Sequence, residues 1–233
     1  MSTESFSTDV PGISALSLTG KGGATPISLS AAASPPPSQP IWIHVDFSDP
    51  QAADWAWEDS GIDRTIVGAM LDPESRPRTL QHGAGVLTML RGVNLNPGAR
   101  LEDMISVRTW LEPGRVVTAS RRRLRSLDEI RQALNEGDGP DTPAQLLVIL
   151  IERLNFHIGA GIEQIEASID RAEDEAAADG GLNRSSAFNR LRRQTAPLRR
   201  SLSRRRAARE RLSGVGDDVV GVALRVEGGG GRG

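Results

Sequence analysis

The amino-acid sequence predicts an α+β fold, in which a mixed, largely antiparallel sheet is covered by helices (αβα) and is followed by a long antiparallel helical hairpin. Three observations predict it. Several segments between residues 41 and 118 alternate apolar and polar side chains, the period of a half-covered strand. Between and after these segments, apolar residues recur at the three- and four-residue spacing of short helices. A much longer stripe begins after residue 142 and is followed by a strongly basic segment.

The ordered part begins, in this prediction, with a strand over 41–46, where Ile, Ile and Val alternate with Trp, His and Asp. An Asp-Pro pair then offers an N-cap and a first helical position for a helix over 49–58. A second short helix over 62–71 stops before a proline. Two runs, 78–82 and 85–91, are separated by Gly-Ala and predict an antiparallel pair of strands.

The segment 91–135 contains the pattern around which the fold is organised. Alternation over 104–111 predicts a strand, Pro113-Gly114 a tight turn, and the β-branched run 116–118 a returning strand. Ser126 and Glu129 then have the spacing of a capping box at the start of a short helix. These elements bring the expected number of strands to about five.

A long helix is predicted from Thr142, which can cap it, with Pro143 at its first position. Seven apolar residues recur at intervals of three and four over about six turns, so one stripe stays in register and needs a partner: Leu147, Ile151, Leu154, Ile158, Ile162, Ile165 and Ile169. The second half of this helix is acidic. An Asp-Gly-Gly break at 179–181 and a basic segment up to Leu212 predict a helix that folds back along the first.

These patterns divide the chain into four parts. Residues 1–39 are rich in Ser, Ala, Gly and Pro and are expected to form a disordered leader. Residues 40–141 form the sheet domain, and residues 142–212 form the helical hairpin. Residues 213–233 form a Gly-rich tail.

Composition limits the classes of function. The chain has no Cys, which excludes disulfides and thiolate metal sites, and three His, too few for most structural zinc sites. No apolar run approaches the ~20 residues of a spanning helix. Charge is divided: residues 1–180 carry 15 basic and 26 acidic side chains, a net of −11, whereas residues 181–233 carry 13 and 4, a net of +9. Such a division of charge indicates either that the basic part packs against the acidic part or that the basic part binds a polyanion.

The segments LRGVNLNPG and EDMISVRTWLEPGRVVTASRRRLRSLDEIRQAL, in this order, resemble the cytoplasmic domain of CorA-type divalent metal ion transporters, in particular the ZntB-like zinc transporter branch. The similarity extends over about 41–212, including GPDTPAQLLVILIERL and IEQIEASIDRAEDE. Gly92-Val93-Asn94 spells the G-x-N letters of the family's pore signature. It follows a strand and precedes a turn, so the pore role is not transferred to it.

The resemblance implies an αβα cytoplasmic domain whose helices build the funnel of a homo-pentamer below a pore. It implies zinc or magnesium as the transported ion, with no resident cofactor. Two transmembrane helices would follow in that family, whereas GVGDDVVGVALRVEGGGGRG departs from its pattern. We therefore expect a chain truncated before those helices, itself soluble and cytoplasmic and not transporting alone, while the parent protein lies at the inner (plasma) membrane.

No catalytic motif stands out, and we expect no enzyme. His44 and Asp46 share a strand face and are candidate metal ligands, although a packed strand histidine is the reading that the residues favour. The acidic run containing Glu163, Glu166 and Asp170 is a second candidate, because hard cations prefer carboxylate oxygens. A solvated helix face is the favoured alternative there.

Two other functions remain open from the residues alone. Arg121, Arg122, Arg123 and Arg125, with the basic segment 190–211, suggest nucleic-acid binding through phosphate neutralisation. Against it, the basic residues are not interleaved with aromatic residues for stacking, and the acidic body opposes a polyanion. A soluble regulatory protein is the other alternative.

Overall fold

The structure, a computed structural model, describes residues 8–33, 39–72, 78–99 and 103–178. The strands within these ranges are β1 (Ile13–Leu18), β2 (Ala24–Pro26), β3 (Ile41–Asp46), β4 (Arg78–His82), β5 (Gly85–Val93), β6 (Met104–Glu112) and β7 (Arg115–Ser120). The helices are α1 (Leu29–Ala33), α2 (Pro50–Glu58), α3 (Arg64–Leu71), α4 (Arg125–Glu136) and α5 (Pro143–Ala178).

The described strands form one seven-stranded sheet in the order β2-β1-β3-β7-β6-β5-β4. The β3–β7 pair at its middle is parallel, and every other pair is antiparallel. A parallel pair needs a long crossover, which α2, α3 and the strands β4 to β6 supply here. The predicted mixed, largely antiparallel sheet is therefore confirmed.

Helices cover both faces of the sheet. On one face, buried residues of the strands pack against α4 and the first half of α5, with Trp42, Val107 and Leu147 in a common cluster. On the other face, Ile43 and Trp110 belong to a cluster with residues of α1, α2 and α3. Because successive strand residues point to opposite faces, the two cores share each strand. The predicted αβα layering is confirmed.

The helix starts follow from local side-chain chemistry. Asp49 caps α2 by accepting a hydrogen bond from the Gln51 N–H at 2.9 Å, and Pro50 occupies the first helical position. At α5, the Thr142 hydroxyl accepts from the Gln145 N–H at 3.2 Å, while the Gln145 side chain accepts from the Asp141 N–H at 2.7 Å. Both helices begin where the sequence predicts.

The leader prediction for 1–39 is wrong over the residues described within it. Strands β1 and β2 and helix α1 lie there, and β1 pairs along its length with β3. Ile13, Leu16 and Leu18 are buried, so a few apolar side chains at the right spacing suffice once β3 offers a pairing edge. The sheet consequently has seven described strands where about five are predicted.

The capping box predicted at α4 is also wrong. The N-cap is Leu124, which forms no side-chain cap, and Ser126 is buried within the first turn. Burial of Leu124 and Leu127 in the core determines where α4 begins. The Glu129 carboxylate contacts His157 on α5 and the Arg125 side chain, and it does not cap a backbone N–H at the start of α4.

The long helix is confirmed as α5, which spans 36 residues. Among the described residues, no helix combines the length and apolar content needed to cross a bilayer. The returning helix predicted up to Leu212 and the tail 213–233 lie outside the described residues.

Candidate functional site

The first predicted ligand, His44, lies in the middle of the sheet on the face that α4 and α5 cover. Its Nδ1 is 2.9 Å from the hydroxyl of Thr118 on the neighbouring strand β7. The same hydroxyl accepts a hydrogen bond from Trp42 Nε1 at 2.9 Å. Burial, together with the positive charge of Arg131, holds the pKa of His44 well below its usual value, although a hydrogen bond to the Thr118 backbone acts in the opposite direction. His44 is therefore neutral at physiological pH.

His44 belongs to a row of polar residues that crosses the sheet beneath the helices. Ser14, His44, Thr118, Thr109 and Thr88 are successive cross-strand neighbours on β1, β3, β7, β6 and β5. The three threonines are fully buried, and Thr109 donates to the Thr88 carbonyl at 3.3 Å. Thr118 and Thr109 have hydrogen-bond partners within this row, whereas the buried hydroxyl of Thr88 has none in the described part of the chain, and His44 stays partly exposed.

Arg131 on α4 closes the open end of this row. Its guanidinium lies 5.4 Å from the centre of the Trp42 ring and donates to Asp128 at 3.3 Å and to Ser14 at 3.4 Å. Burial and the charge of Arg123 lower the pKa of Arg131, while the Asp128 carboxylate works in the opposite direction. The positively charged Arg131 side chain therefore acts on His44, the residue that the sequence predicts as a metal ligand.

Asp46, the second predicted ligand, ends β3 and is engaged elsewhere. Its Oδ1 accepts hydrogen bonds from the backbone N–H of Ser48 at 3.0 Å and from the Ser48 hydroxyl at 2.6 Å. The carboxylate organises the turn after the strand. His44 and Asp46 share a strand face, as predicted, but each has its own protein partner.

Sequence reasoning missed a polar cluster that joins α4 to α5. His157 Nε2 lies 3.0 Å from Glu129 Oε2, and Arg153 donates to the same oxygen at 3.3 Å. Arg125 donates to Glu129 Oε1 at 3.0 Å. Although burial raises the pKa of Glu129, the hydrogen bonds and charge of these partners outweigh it and hold that pKa below its ordinary value. Spacings of four residues, 125 to 129 and 153 to 157, were the available signal.

The acidic candidates lie on the second half of α5. Glu163 and Asp170 are exposed, and Glu166 lies between them on the helix, with a side chain outside the described set. Across the residues that the structure describes, no group of three or more His, Asp or Glu is arranged to hold a metal ion. Metal binding at His44, Asp46, Glu163, Glu166 and Asp170 therefore stays a prediction.

The basic cluster after β7 is engaged in contacts within the chain. Arg121 lies 5.1 Å from the centre of the Phe47 ring, a cation–π distance. Arg123 pairs with Asp128 at 2.7 Å, and Arg125 pairs with Glu129. Each of these three side chains therefore has a partner within the domain, although Arg123 and Arg125 remain largely exposed.

The chain belongs to the CorA-like family: the model of the family described as "CorA-like Mg2+ transporter protein" matches residues 37–219. The match begins just before β3 and covers the sheet from there onward, together with α5. The predicted family is confirmed, and the nucleic-acid alternative is not favoured.

Named relatives divide between two kinds of transporter. The divalent cation transporter CmaX of Pseudomonas aeruginosa is 33% identical over 172 residues, which are 73% of this chain and 52% of CmaX. The zinc transport protein ZntB of Yersinia pseudotuberculosis is 30% identical over 209 residues, 88% of this chain and 63% of ZntB. The chain therefore spans between half and two thirds of these relatives, which are transporters and not enzymes.

A solved structure matches this chain over most of both lengths. The crystal structure of the ZntB cytoplasmic domain from Vibrio parahaemolyticus has a TM-score of 0.63 at 25% identity and covers 92% of this chain and 88% of its own. The ZntB-like resemblance and the α+β fold predicted from the sequence are both confirmed.

Proposed function

We propose that this chain is the cytoplasmic domain of a divalent cation transporter, working on the inner side of the membrane as part of a homo-oligomer. The single observation that carries this proposal is the difference in coverage. The chain matches nearly the whole of a ZntB cytoplasmic domain but only part of whole transporters. In this proposal, the polypeptide forms the cytoplasmic funnel (the vestibule), and membrane-spanning segments outside the matched region form the pore.

The geometry of the described residues supports a cytoplasmic funnel more than a site with a fixed set of metal ligands. Between the sheet and α4, Trp42 Nε1 and His44 Nδ1 both contact the Thr118 hydroxyl, and the positive charge of Arg131 acts on His44. The described carboxylates that remain open to solvent include Glu152, Glu163 and Asp170 on α5. Exposed carboxylates raise the local concentration of divalent cations through their field without a fixed ligand set. Zinc and magnesium are both candidates for the ion.

A pentamer is the assembly we propose, and the mass of the full chain in solution tests it. Native mass spectrometry should be run with and without Mg²⁺ or Zn²⁺, over a range of chain concentrations. The proposal predicts a species of five chains, each of 24.9 kDa. A single-chain mass under every condition would argue against the vestibule.

Misfolding could also abolish assembly, so a matched control is required. Near-ultraviolet circular dichroism reports on the buried tryptophans, including Trp42 and Trp110. A chain that shows the native tryptophan signal and remains a monomer contradicts the proposal. A chain without that signal has to be prepared again before the mass is interpreted.

A further inference from the structure

Three arginines approach one another on the face of the sheet that α2 and α3 cover. Arg108 lies on β6, opposite Met89 of β5 and Ala119 of β7, and both neighbours are buried in the core beneath these helices. Arg91 and Arg121 each follow one of these neighbours by two residues, a spacing that returns to the same face. Because β5 and β7 are both antiparallel to β6, the two flanking arginines lie on the same side of Arg108. We call these three residues the arginine cluster.

Arg108 is the buried member of the arginine cluster, with 3% of its surface exposed. Its Nη2 donates a hydrogen bond to the backbone carbonyl of Asp72 at 2.5 Å. Its Nε is also buried, and no atom in the described part of the chain accepts a hydrogen bond from it. A buried, charged donor without an acceptor is unfavourable. The Nε atom therefore indicates an acceptor that comes from outside the described residues.

Phe47, the residue directly after β3, brings two of these arginines together. The guanidinium carbon of Arg108 lies 4.9 Å from the centre of its ring, and that of Arg121 lies 5.1 Å from the same centre. An aromatic ring attracts cations but has no net charge, so the two guanidiniums share Phe47 without being neutralised by it. Phe47 is buried and Arg121 is exposed, so the arginine cluster extends from the interior to the surface.

The charges that act on Arg108 are mainly positive. Burial lowers the pKa of Arg108, and the positive charges of Arg121 and Arg91 lower it further, whereas the Asp72 carboxylate acts in the opposite direction. Arginine stays protonated at physiological pH, so three arginines and one carboxylate leave an excess of two positive charges among these four groups. An anion with two negative charges would balance this excess.

We propose that the arginine cluster binds a phosphate group, either as free phosphate or as the phosphate monoester of a small molecule. Such a group carries about −1.5 to −2 charges at pH 7, which matches the excess charge. The planar guanidinium forms paired hydrogen bonds with phosphate oxygens, and Arg108 Nε supplies one of the donors. Arg121 closes the site at the surface. Because Arg108 is buried, the backbone of a rigid duplex cannot reach it, and a small ligand is required.

Isothermal titration calorimetry of the full chain with inorganic phosphate, at pH 7 and constant ionic strength, tests the proposal. Arg121→Gln should raise the Kd at least about tenfold, because it removes a charge-assisted contact. The matched control is Arg122→Gln, which makes the same charge change at the next exposed residue and should alter the Kd by less than about twofold. Equal weakening in both variants would indicate a general attraction to positive charge and would overturn the proposal.

Arg108→Lys tests the buried donor while keeping its charge. Lysine lacks the planar fork and the Nε position, so phosphate binding should weaken at least about tenfold. Near-ultraviolet circular dichroism of Trp110, which is buried two residues away on β6, checks that the variant is folded. A folded Arg108→Lys variant that binds phosphate like the original chain would exclude Arg108 from the site and contradict the proposal.

Removal of the carboxylate should have the opposite effect, which a cluster with only a structural role would not produce. Asp72→Asn raises the excess positive charge, and it leaves in place the backbone carbonyl that accepts from Arg108. Phosphate binding should therefore tighten by a few-fold, on the order expected for one nearby charge close to the surface. Weaker binding in a folded Asp72→Asn variant counts against the proposal.

Other anions distinguish a phosphate site from a general anion site. If adenosine monophosphate binds with the affinity of inorganic phosphate, the phosphate group alone is recognised; if it binds more tightly, the natural ligand is a nucleotide-like monoester. Both results support the site. Sodium chloride at the same concentration as phosphate should not compete. Chloride that competes as an equal would identify an unspecific anion surface and contradict the assignment to phosphate.

A chain that shows its native tryptophan signal but no saturable phosphate binding would also overturn the proposal. Glu74→Gln tests the alternative that the chain supplies its own counter-charge, since Glu74 follows Asp72 by two residues in sequence and lies outside the described residues. If only Glu74→Gln binds phosphate, that alternative is correct and the proposal is wrong. These measurements report on anion binding by one domain, so their failure leaves the transporter proposal to be judged by its own assays.

Discussion

The two halves of α5 have similar sequence periods but opposite surroundings. In the first half, Leu146, Leu147, Leu150 and Leu154 are buried against the sheet. In the second half, Glu163, Asp170 and Asp174 are exposed. A single helix therefore serves as a core element at one end and as a charged arm at the other. The comparison teaches that helical period alone does not tell which layer covers a helix.

The core half should respond most strongly to loss of side-chain volume. Leu150→Ala removes a fully buried side chain between α5 and the sheet and should lower the free energy of unfolding by ~2 to 5 kcal/mol. Asp174→Ala on the charged arm is the matched control and should change it by less than about 0.5 kcal/mol. Urea denaturation measures both variants. If the two variants lose similar amounts of unfolding free energy, the two halves of α5 do not differ in their contribution to the core.

The next effect is expected at the junction of α4 and α5. Glu129→Gln removes the charge that His157, Arg153 and Arg125 share and should lower the free energy of unfolding by ~1 to 3 kcal/mol. Glu58→Gln breaks an exposed pair with Arg64 and should cost at most about 1 kcal/mol. The same urea titrations at pH 7 compare them. An equal cost for both would show that the junction is an ordinary surface ion pair.

A smaller, pH-dependent effect is expected from His44 beneath the core half. The fold lowers the pKa of His44, so the unfolded chain binds more protons once pH falls below about 6.5. This contribution to stability is therefore complete above pH ~6.5 and declines as pH falls, by at most about 1.4 kcal/mol per pH unit.

His44→Gln should flatten this slope between pH 6.5 and 5. Urea titrations at several pH values give the slopes. An unchanged slope in His44→Gln would show that His44 is not held neutral by the fold.

Local patterns were sufficient for the described strands and helices from residue 41 onward, although not for the start of α4. Alternation predicted the strands, and the Asp49 and Thr142 caps predicted two helix starts, because these signals act between near neighbours in sequence. The leader was misjudged for the same reason. Four of the six residues of β1 are apolar, but their burial depends on pairing with β3, which no local pattern shows.

The contacts of the candidate site were beyond sequence reasoning because they join distant segments. His44 meets Thr118, 74 residues away, through the parallel register of β3 and β7. Glu129 meets His157, 28 residues away, through the packing of α4 on α5. The residue types were visible in the sequence, but the register that makes them partners is a property of the sheet and its helices.

The most direct test of the transporter assignment is divalent cation uptake by a chimera. In the CmaX relative of Pseudomonas aeruginosa, the 172 aligned residues are replaced by the corresponding residues of this chain, and liposomes are assayed with Mg²⁺ and Zn²⁺. The account predicts uptake by the chimera and none by this chain alone. A chimera that inserts and assembles but takes up neither ion, or uptake by this chain alone, would contradict it.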